Sequence, residues 1–532
     1  MHNHTKESQR RRTFAIISHP DAGKTTLTEK LLLYGGAIHV AGSVRARKTA
    51  RSAISDWMAL ERERGISVTS SVLQFPFGGM QLNLLDTPGH EDFAEDTYRT
   101  LHAVDSAVML IDRVKGIEKQ TRKLFEVCRM RHIPIFTFIN KMDRNGREPL
   151  DLIDEIEDTL GLRCYPVNWP IGMGSGFRGV YDRERARVVL FEDADHGTKK
   201  AALTLSGLDD PQLAELLGEA EREAFREEIE LLDAAGHPFD EEAFHRGALT
   251  PVFFGSAMTN FGVEPFLERF IELAPSPRAR QTPQRRVEPG DEAFSGFIFK
   301  IQANMDKAHR DRVAFLRVCS GRFARGMTVR HVRLGRDIRL STSVQFLASE
   351  RKQVEEAYAG DIVGLFDPGL FAIGDTLCTG APVEFEGVPQ FSPELFARVV
   401  SVDAMKRKQQ SKGLQQLTDE GAVQIFYDPH RGEQEPILGA VGRLQFDVIT
   451  HRLLSEYRVE PRLERLDYAI ARWIMGEAPL ERLADSGIGM LVRDTHANPV
   501  ILLKGEWELN WLKREFEGIE LLERAPLKRH MN

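Results

Sequence analysis

The first half of the chain alternates short, largely apolar runs with longer stretches of helix-favouring sequence. The apolar runs fall at residues 14–17, 82–85, 107–111, 133–139 and 252–254, and the helical stretches at 26–33, 118–131 and 148–160. Runs apolar on both faces, separated by helices, predict a parallel sheet with ligands bound at the carboxyl ends of its strands. An insertion of about a hundred residues, spanning roughly 145–250, is too long to be a loop. It holds the glycine-rich stretch 169–181, which suits strands and turns, and then an acidic helical run over 215–233.

Beyond residue 290 the period changes. Alternating runs at 297–301, 313–318, 327–332, 344–347 and 362–366, punctuated by glycines, predict an all-β unit, a barrel. The Pro- and Arg-rich stretch 274–290 reads as a linker, and a second break falls at 382–393. The remainder mixes a strand at 423–427 with helices at 443–457 and 507–516, an α+β pattern. The expected domains are therefore 1–278 (with the insertion), 291–382 and 391–532.

Composition narrows the class. At 532 residues the chain exceeds one core. Its 42% hydrophobic and 28% charged residues are a globular balance, and the net charge of −8 argues against a wholly basic nucleic-acid binder. Cys128, Cys164, Cys319 and Cys378 are scattered, which speaks against a disulfide framework or zinc site and fits a reducing compartment. No apolar run approaches the ~18 residues of a membrane span, and Arg10-Arg11-Arg12 has no signal-type apolar region after it. A cytoplasmic monomer is expected.

Candidate chemistry begins where the first apolar run ends, at Ser18-His19-Pro20-Asp21-Ala22-Gly23-Lys24-Thr25. Strand, tight loop, Gly-Lys-Thr and helix form the context of a phosphate-binding loop, with Ser18 where the first glycine usually stands. Loop N–H groups and the helix dipole favour an anion there. Lys24 would reach the terminal phosphates and Thr25 would ligate Mg²⁺; the alternative is an ordinary strand-to-helix turn. A polar, basic stretch over 40–64, with Arg45, Arg47, Lys48 and Arg51, ends in Arg64-Gly65-Ile66-Ser67. It reads as a solvated loop or as a nucleotide switch in which Ser67 gives Mg²⁺ a second hydroxyl.

The second apolar run ends in Asp86-Thr87-Pro88-Gly89-His90. An acid at a strand's carboxyl end beside the loop suits Mg²⁺, Gly89 lets the backbone approach a γ-phosphate, and His90 would orient the attacking water. Asn140-Lys141-Met142-Asp143 selects the base. The Asp143 carboxylate can accept from guanine N1–H and its exocyclic amine, and adenine offers neither donor. At ~1.5–3 kcal/mol per hydrogen bond to a charged group, losing two discriminates strongly against ATP. Asn140 would hold the phosphate-loop side, the Lys141 stem would lie on the base, and Ser256 and Ala257 would cap guanine O6. All in order at strand ends, these motifs imply GTP or GDP binding. The fold class is multidomain α/β: a P-loop GTPase domain with an inserted subdomain, a β-barrel domain and an α+β C-terminal domain.

The combination resembles the translational GTPases, and within them the class II release factors, on Ser18–Lys24, Arg64-Gly65-Ile66-Ser67, His90-Glu91-Asp92-Phe93, Asp96-Thr97-Tyr98-Arg99-Thr100 and Asn168-Trp169-Pro170-Ile171-Gly172. The resemblance implies a ribosome-stimulated GTPase that promotes departure of codon-reading release factors and leaves on GTP hydrolysis. It also implies that Pro20 and Ile66 gate His90, that the sarcin–ricin loop of ribosomal RNA positions His90, and that the acidic insertion meets the ribosomal stalk protein. The bland alternative for the insertion is a solvated helix face. The same choice, solvated face or RNA phosphate contact, applies to Lys406, Arg407, Lys408, Lys412 and Arg431. Three other functions stand beside this one: a translocase of elongation factor G type, a GTP-dependent interaction protein without appreciable hydrolysis, and a small-molecule kinase. Chain length and Ser67 count against the first, and the Asn140–Asp143 tetrad against the last.

Overall fold

The computed structural model describes residues 2–37, 71–88, 90–191, 202–303, 312–340, 343–347, 350–387, 391–476, 480–516 and 519–525. The 40–64 stretch, Ile66, Ser67 and Gly89 lie outside them. Seven strands form the main sheet: β1 (Arg11–Ser18), β2 (Ser71–Phe77), β3 (Met80–Asp86), β4 (Ser106–Asp112), β5 (Ile135–Asn140), β6 (Arg163–Pro166) and β7 (Leu249–Phe254). Their order is β2-β3-β1-β4-β5-β7-β6, parallel except for the β2–β3 hairpin. β4 and β5 are buried at every position, as expected of strands covered on both faces by helices. The helices Lys24–Tyr34, Lys119–Met130, Pro149–Leu160 and Val263–Leu273 supply that cover.

The insertion carries its own four-stranded antiparallel sheet, Asn168–Ile171, Gly179–Asp182, Arg187–Phe191 and Ala202–Leu205. Trp169 is fully buried and meets Phe254 edge-on at 5.2 Å. The Asn168 side chain clasps β7 from both directions, donating to the Phe254 carbonyl at 3.2 Å and accepting its N–H at 2.7 Å. The acidic helical run over 215–233 is divided between two helices, Pro211–Leu217 and Glu219–Ala235. Gly218 separates them at φ 86°, ψ 150°, a conformation glycine adopts without the Cβ penalty. Asp210 caps the first helix through the Gln212 N–H.

The second domain is an eight-stranded antiparallel sheet plus a two-stranded ribbon around one core that includes Ile298, Leu316, Phe323, Val363 and Leu377. The C-terminal domain is another eight-stranded antiparallel sheet. The helices Arg407–Asp419 and Arg443–Tyr457 pack through Leu414, Leu417, Ile449 and Leu453. No described helix is long and apolar enough to cross a membrane.

Residues 274–290 do more than connect. Arg280–Gln281 pairs with Arg286–Val287; Arg278 donates to the His132 carbonyl at 3.0 Å; Arg280 donates to the His102 carbonyl at 3.1 Å and lies 5.0 Å over the Phe297 ring. Composition marks this stretch as a linker, but the guanidinium forks find carbonyls and a ring face that hold it against both domains.

Polar residues of the main sheet hold the barrel. Thr13 Oγ1 and Asn83 Nδ2 donate to the Gly360 carbonyl at 2.6 and 3.2 Å, and Gln74 Nε2 donates to the Ile362 carbonyl at 3.2 Å. Arg317 Nη2 reaches Asp105 Oδ2 at 2.5 Å while Nη1 donates to Gly360 O at 2.7 Å, with both residues of the pair buried. Removing one partner of such a pair strands the other charge at a cost of about 3–5 kcal/mol. Asp105→Ala is therefore expected to lower the denaturant midpoint for separation of the two domains clearly. An unchanged midpoint would show that the ion pair does not hold this interface.

Candidate functional site

The sheet delivers the predicted motifs to one edge because β1, β3, β5 and β7 all end there. After β1, Asp21 (φ 68°) and Gly23 (φ 98°) turn the chain into the helix Lys24–Tyr34. Ser18 is buried, His19 and Pro20 half-buried, and Thr25 half-buried at the first turn. The Lys24 ammonium, buried, donates to Asp86 Oδ1 at 2.7 Å and to the Thr87 carbonyl. Thr87 Oγ1 donates to the Ile16 carbonyl at 2.7 Å and so joins the ends of β3 and β1. The His19 imidazole sits 3.0 Å from Glu118 Oε2; burial pulls its pKa below the ordinary value, against the opposing carboxylate.

His90 stands half-buried after Pro88, its Nδ1 accepting the Asp92 N–H at 3.2 Å. At the far end of the cradle, Asn140 is buried and satisfied on both sides. Nδ2 donates to the Ala22 carbonyl at 2.8 Å and Oδ1 accepts the Ala257 N–H at 2.9 Å. Lys141, at φ 68°, spans from the Asp21 carbonyl at 2.6 Å to Asp112 Oδ2 at 2.5 Å. Asp143 accepts from the Ser256 hydroxyl at 2.6 Å through Oδ1, and the acceptor sites of a carboxylate outnumber that one bond. The Met142 side chain turns into the hydrophobic core, and its N–H donates to the Gly255 carbonyl at 3.2 Å.

Ser18 to Thr25, Asp86 to Pro88, His90, Asn140 to Asp143, Ser256 and Ala257 are thus gathered at one edge. Asp112 joins them without having been assigned a role from sequence; its signal was an acid at the carboxyl end of an apolar strand. Thr25 and Asp86 flank Lys24, and one hydroxyl with one carboxylate beside a buried ammonium is a donor set that suits Mg²⁺.

The sheet and cradle, followed by a β-barrel and an α+β domain, define a translational GTPase. The family models for the elongation factor Tu GTP binding domain, elongation factor G domain 2 and the class II release factor RF3 C-terminal domain match residues 9–276, 293–380 and 385–513. The chain belongs to the peptide chain release factor 3 family. Curated proteins of that name from Symbiobacterium thermophilum, Gloeobacter violaceus and Acaryochloris marina are 60%, 57% and 56% identical to it. The alignments cover 96%, 98% and 97% of this chain and 97%, 98% and 96% of those proteins, respectively. A crystal structure of a protein from Thermus thermophilus shares the fold at a TM-score of 0.68 and 24% identity, over 88% of this chain and 70% of that one.

Gly23 is the tightest point of the cradle: a Cβ there would lie 2.4 Å from Asn140 Nδ2, at a φ that disfavours any side chain. Gly23→Ala is expected to keep its circular dichroism and lose at least about tenfold in guanine-nucleotide affinity by equilibrium dialysis. Parent-like affinity would show that the loop accommodates the methyl group.

Proposed function

We propose that this chain is a ribosome-stimulated GTPase that promotes dissociation of codon-reading release factors during translation termination and so stimulates their turnover. What carries the reading is the near full-length similarity to proteins named peptide chain release factor 3, together with the match of residues 385–513 to the C-terminal domain model of class II release factors.

In this reading, GTP lies with its triphosphate over Lys24 and the amides of the 18–25 loop, and with its base against Asp143. Asp143 takes the two guanine donors while Ser256 fixes its carboxylate and the Ala257 region covers O6. Lys141 is held flat by the Asp21 carbonyl and Asp112, so its stem offers an apolar face to the base. Thr25, Asp86 and Ser67 would hold Mg²⁺, which neutralises charge on the phosphate oxygens when bound. Gly89 meets the γ-phosphate, and His90 orients the attacking water between Pro20 and Ile66. The ribosome would act through the sarcin–ricin loop at His90 and through the stalk protein at the acidic helices, with release factors affected indirectly. The protein would work in the cytoplasm as a monomer.

Two variants test the assignment. His90→Ala is expected to cut ribosome-stimulated GTP turnover by at least about a hundredfold while leaving GTP affinity near the parent's; unchanged turnover would sink the role of His90. Asp143→Asn is expected to weaken GTP and favour xanthosine triphosphate, and a variant that still prefers GTP would overturn the base assignment. Turnover on termination complexes carrying a bound release factor, scored by that factor's departure, tests the recycling step itself.

A further inference from the structure

The segment that carries His90 is gripped from the far end of the chain. Asp92 lies in the short turn Glu91–Phe93, and its Oδ2 accepts the Leu444 N–H at 2.6 Å. Leu444 is in the first turn of the helix Arg443–Tyr457 of the C-terminal domain. That helix starts after Gly442, which has no side chain to cap it. Gln445 Oε1 accepts the Val441 and Gly442 N–H groups at 2.7 and 3.0 Å, and the Leu444 amide is met from another domain. A Cβ on Gly442 would fall 2.0 Å from Asp92 Cγ; the glycine is the opening through which the carboxylate reaches the helix end. A carboxylate on a first-turn amide is the chemistry of an N-cap, favoured further by the helix dipole.

The main chain of the same residue holds His90. The Asp92 N–H donates to His90 Nδ1, and Asp92 Oδ1 lies 3.6 Å from that nitrogen. A ring nitrogen that accepts a hydrogen bond carries no proton, so in the neutral imidazole the proton is on Nε2. A second grip lies on the following helix, Ala94–His102: Arg99 Nη2 donates to the Gly421 carbonyl at 2.9 Å, and Tyr98 meets Phe391 edge-on at 5.2 Å.

We propose that Asp92 is a positioning residue that ties His90 to the C-terminal domain. Its side chain anchors the 90–93 turn to the helix Arg443–Tyr457, and its backbone N–H fixes the imidazole orientation. A displacement of the C-terminal domain then releases His90, and a rearrangement of the turn uncaps the helix, because the coupling is reciprocal. The effect on turnover rests on the reading of His90 as the water-orienting residue; the tie itself does not.

Gly442 is extended (φ −139°, ψ 161°), a backbone that suits aspartate at an N-cap. In Asp92→Gly/Gly442→Asp the helix regains a carboxylate cap from its own chain, while the link to the 90–93 turn is gone. Asp92→Gly also removes the Asp92 Cβ, which would lie 2.4 Å from a Cβ at position 442, and serves as the single-variant reference. In the full-length protein, Asp92→Gly is expected to lower the thermal midpoint, speed hydrogen exchange at the Leu444 amide and reduce ribosome-stimulated kcat about tenfold with GTP affinity near the parent's. The double variant is expected to recover the midpoint and the Leu444 protection but not kcat. Recovery of kcat with the midpoint would reduce Asp92 to a helix cap and overturn the proposal, as would parent-like kcat in Asp92→Gly. In a His90→Ala background, Asp92→Gly should lower turnover no further; an additional loss would place its effect elsewhere and also overturn it. If His90→Ala itself turns over like the parent, the role of His90 falls. Exchange at Leu444 then decides the tie alone: faster exchange in Asp92→Gly upholds it, and unchanged exchange overturns it.

Discussion

One amide side chain holds the nucleotide cradle together. The loops that leave β5 and β7 share the backbone bonds Met142 N–H to Gly255 O and Gly255 N–H to Ile139 O, and side chains tie the loop after β1 to them. Asn140 joins them by donating to the Ala22 carbonyl and accepting the Ala257 N–H. Because Asn140 is 2% exposed, neither bond competes with water, and a buried partner left unmade would cost about 1–3 kcal/mol. No other neutral side chain of that length offers a donor and an acceptor in one plane, so the spacing between the Ala22 and Ala257 loops is set by the size of one carboxamide.

The same economy recurs between domains. Beside a buried apolar cluster that joins Val72 and Leu101 to Phe297 and Phe315, the faces that meet carry directional bonds: Thr13, Asn83 and Gln74 on the sheet, Gly360 and Ile362 carbonyls on the barrel, and the Asp105–Arg317 pair between them. Directional bonds of this kind specify one docking geometry where a purely apolar contact would tolerate sliding. The C-terminal domain grips the GTPase domain at points on either side of Phe93, through Asp92 and Arg99. All three domains therefore converge on the segment that follows β3.

What was legible in the sequence is what is local. An apolar run ending in Gly-Lys-Thr, Asp-Thr-Pro-Gly-His or Asn-Lys-Met-Asp announces both a strand and the chemistry at its tip, because in a parallel sheet the tip is where ligands sit. The barrel and the α+β unit were legible from their change of period. The contacts of Asp92 and Asn83 were not, since their partners lie hundreds of residues away and no periodicity encodes them. The break at Gly218 was hidden because acidic helix formers flank it on both sides. The docking of 274–290 was hidden because arginine in a Pro-rich stretch reads the same whether its guanidinium faces water or a carbonyl. Asp112 was visible as a residue but silent as a role until Lys141 was placed against it.

The clasp of Asn168 on Phe254 has a consequence for how this molecule can change. The inserted sheet begins at the residue that braces β7, and β7 runs straight into the loop bearing Ser256, the partner of Asp143. The insertion is thus no detachable ornament: its first strand is bonded to the end of the strand that leads to Ser256 and, through it, to Asp143. The first strand of the insertion therefore moves with the loop that carries Ser256 and with the carboxylate that loop holds.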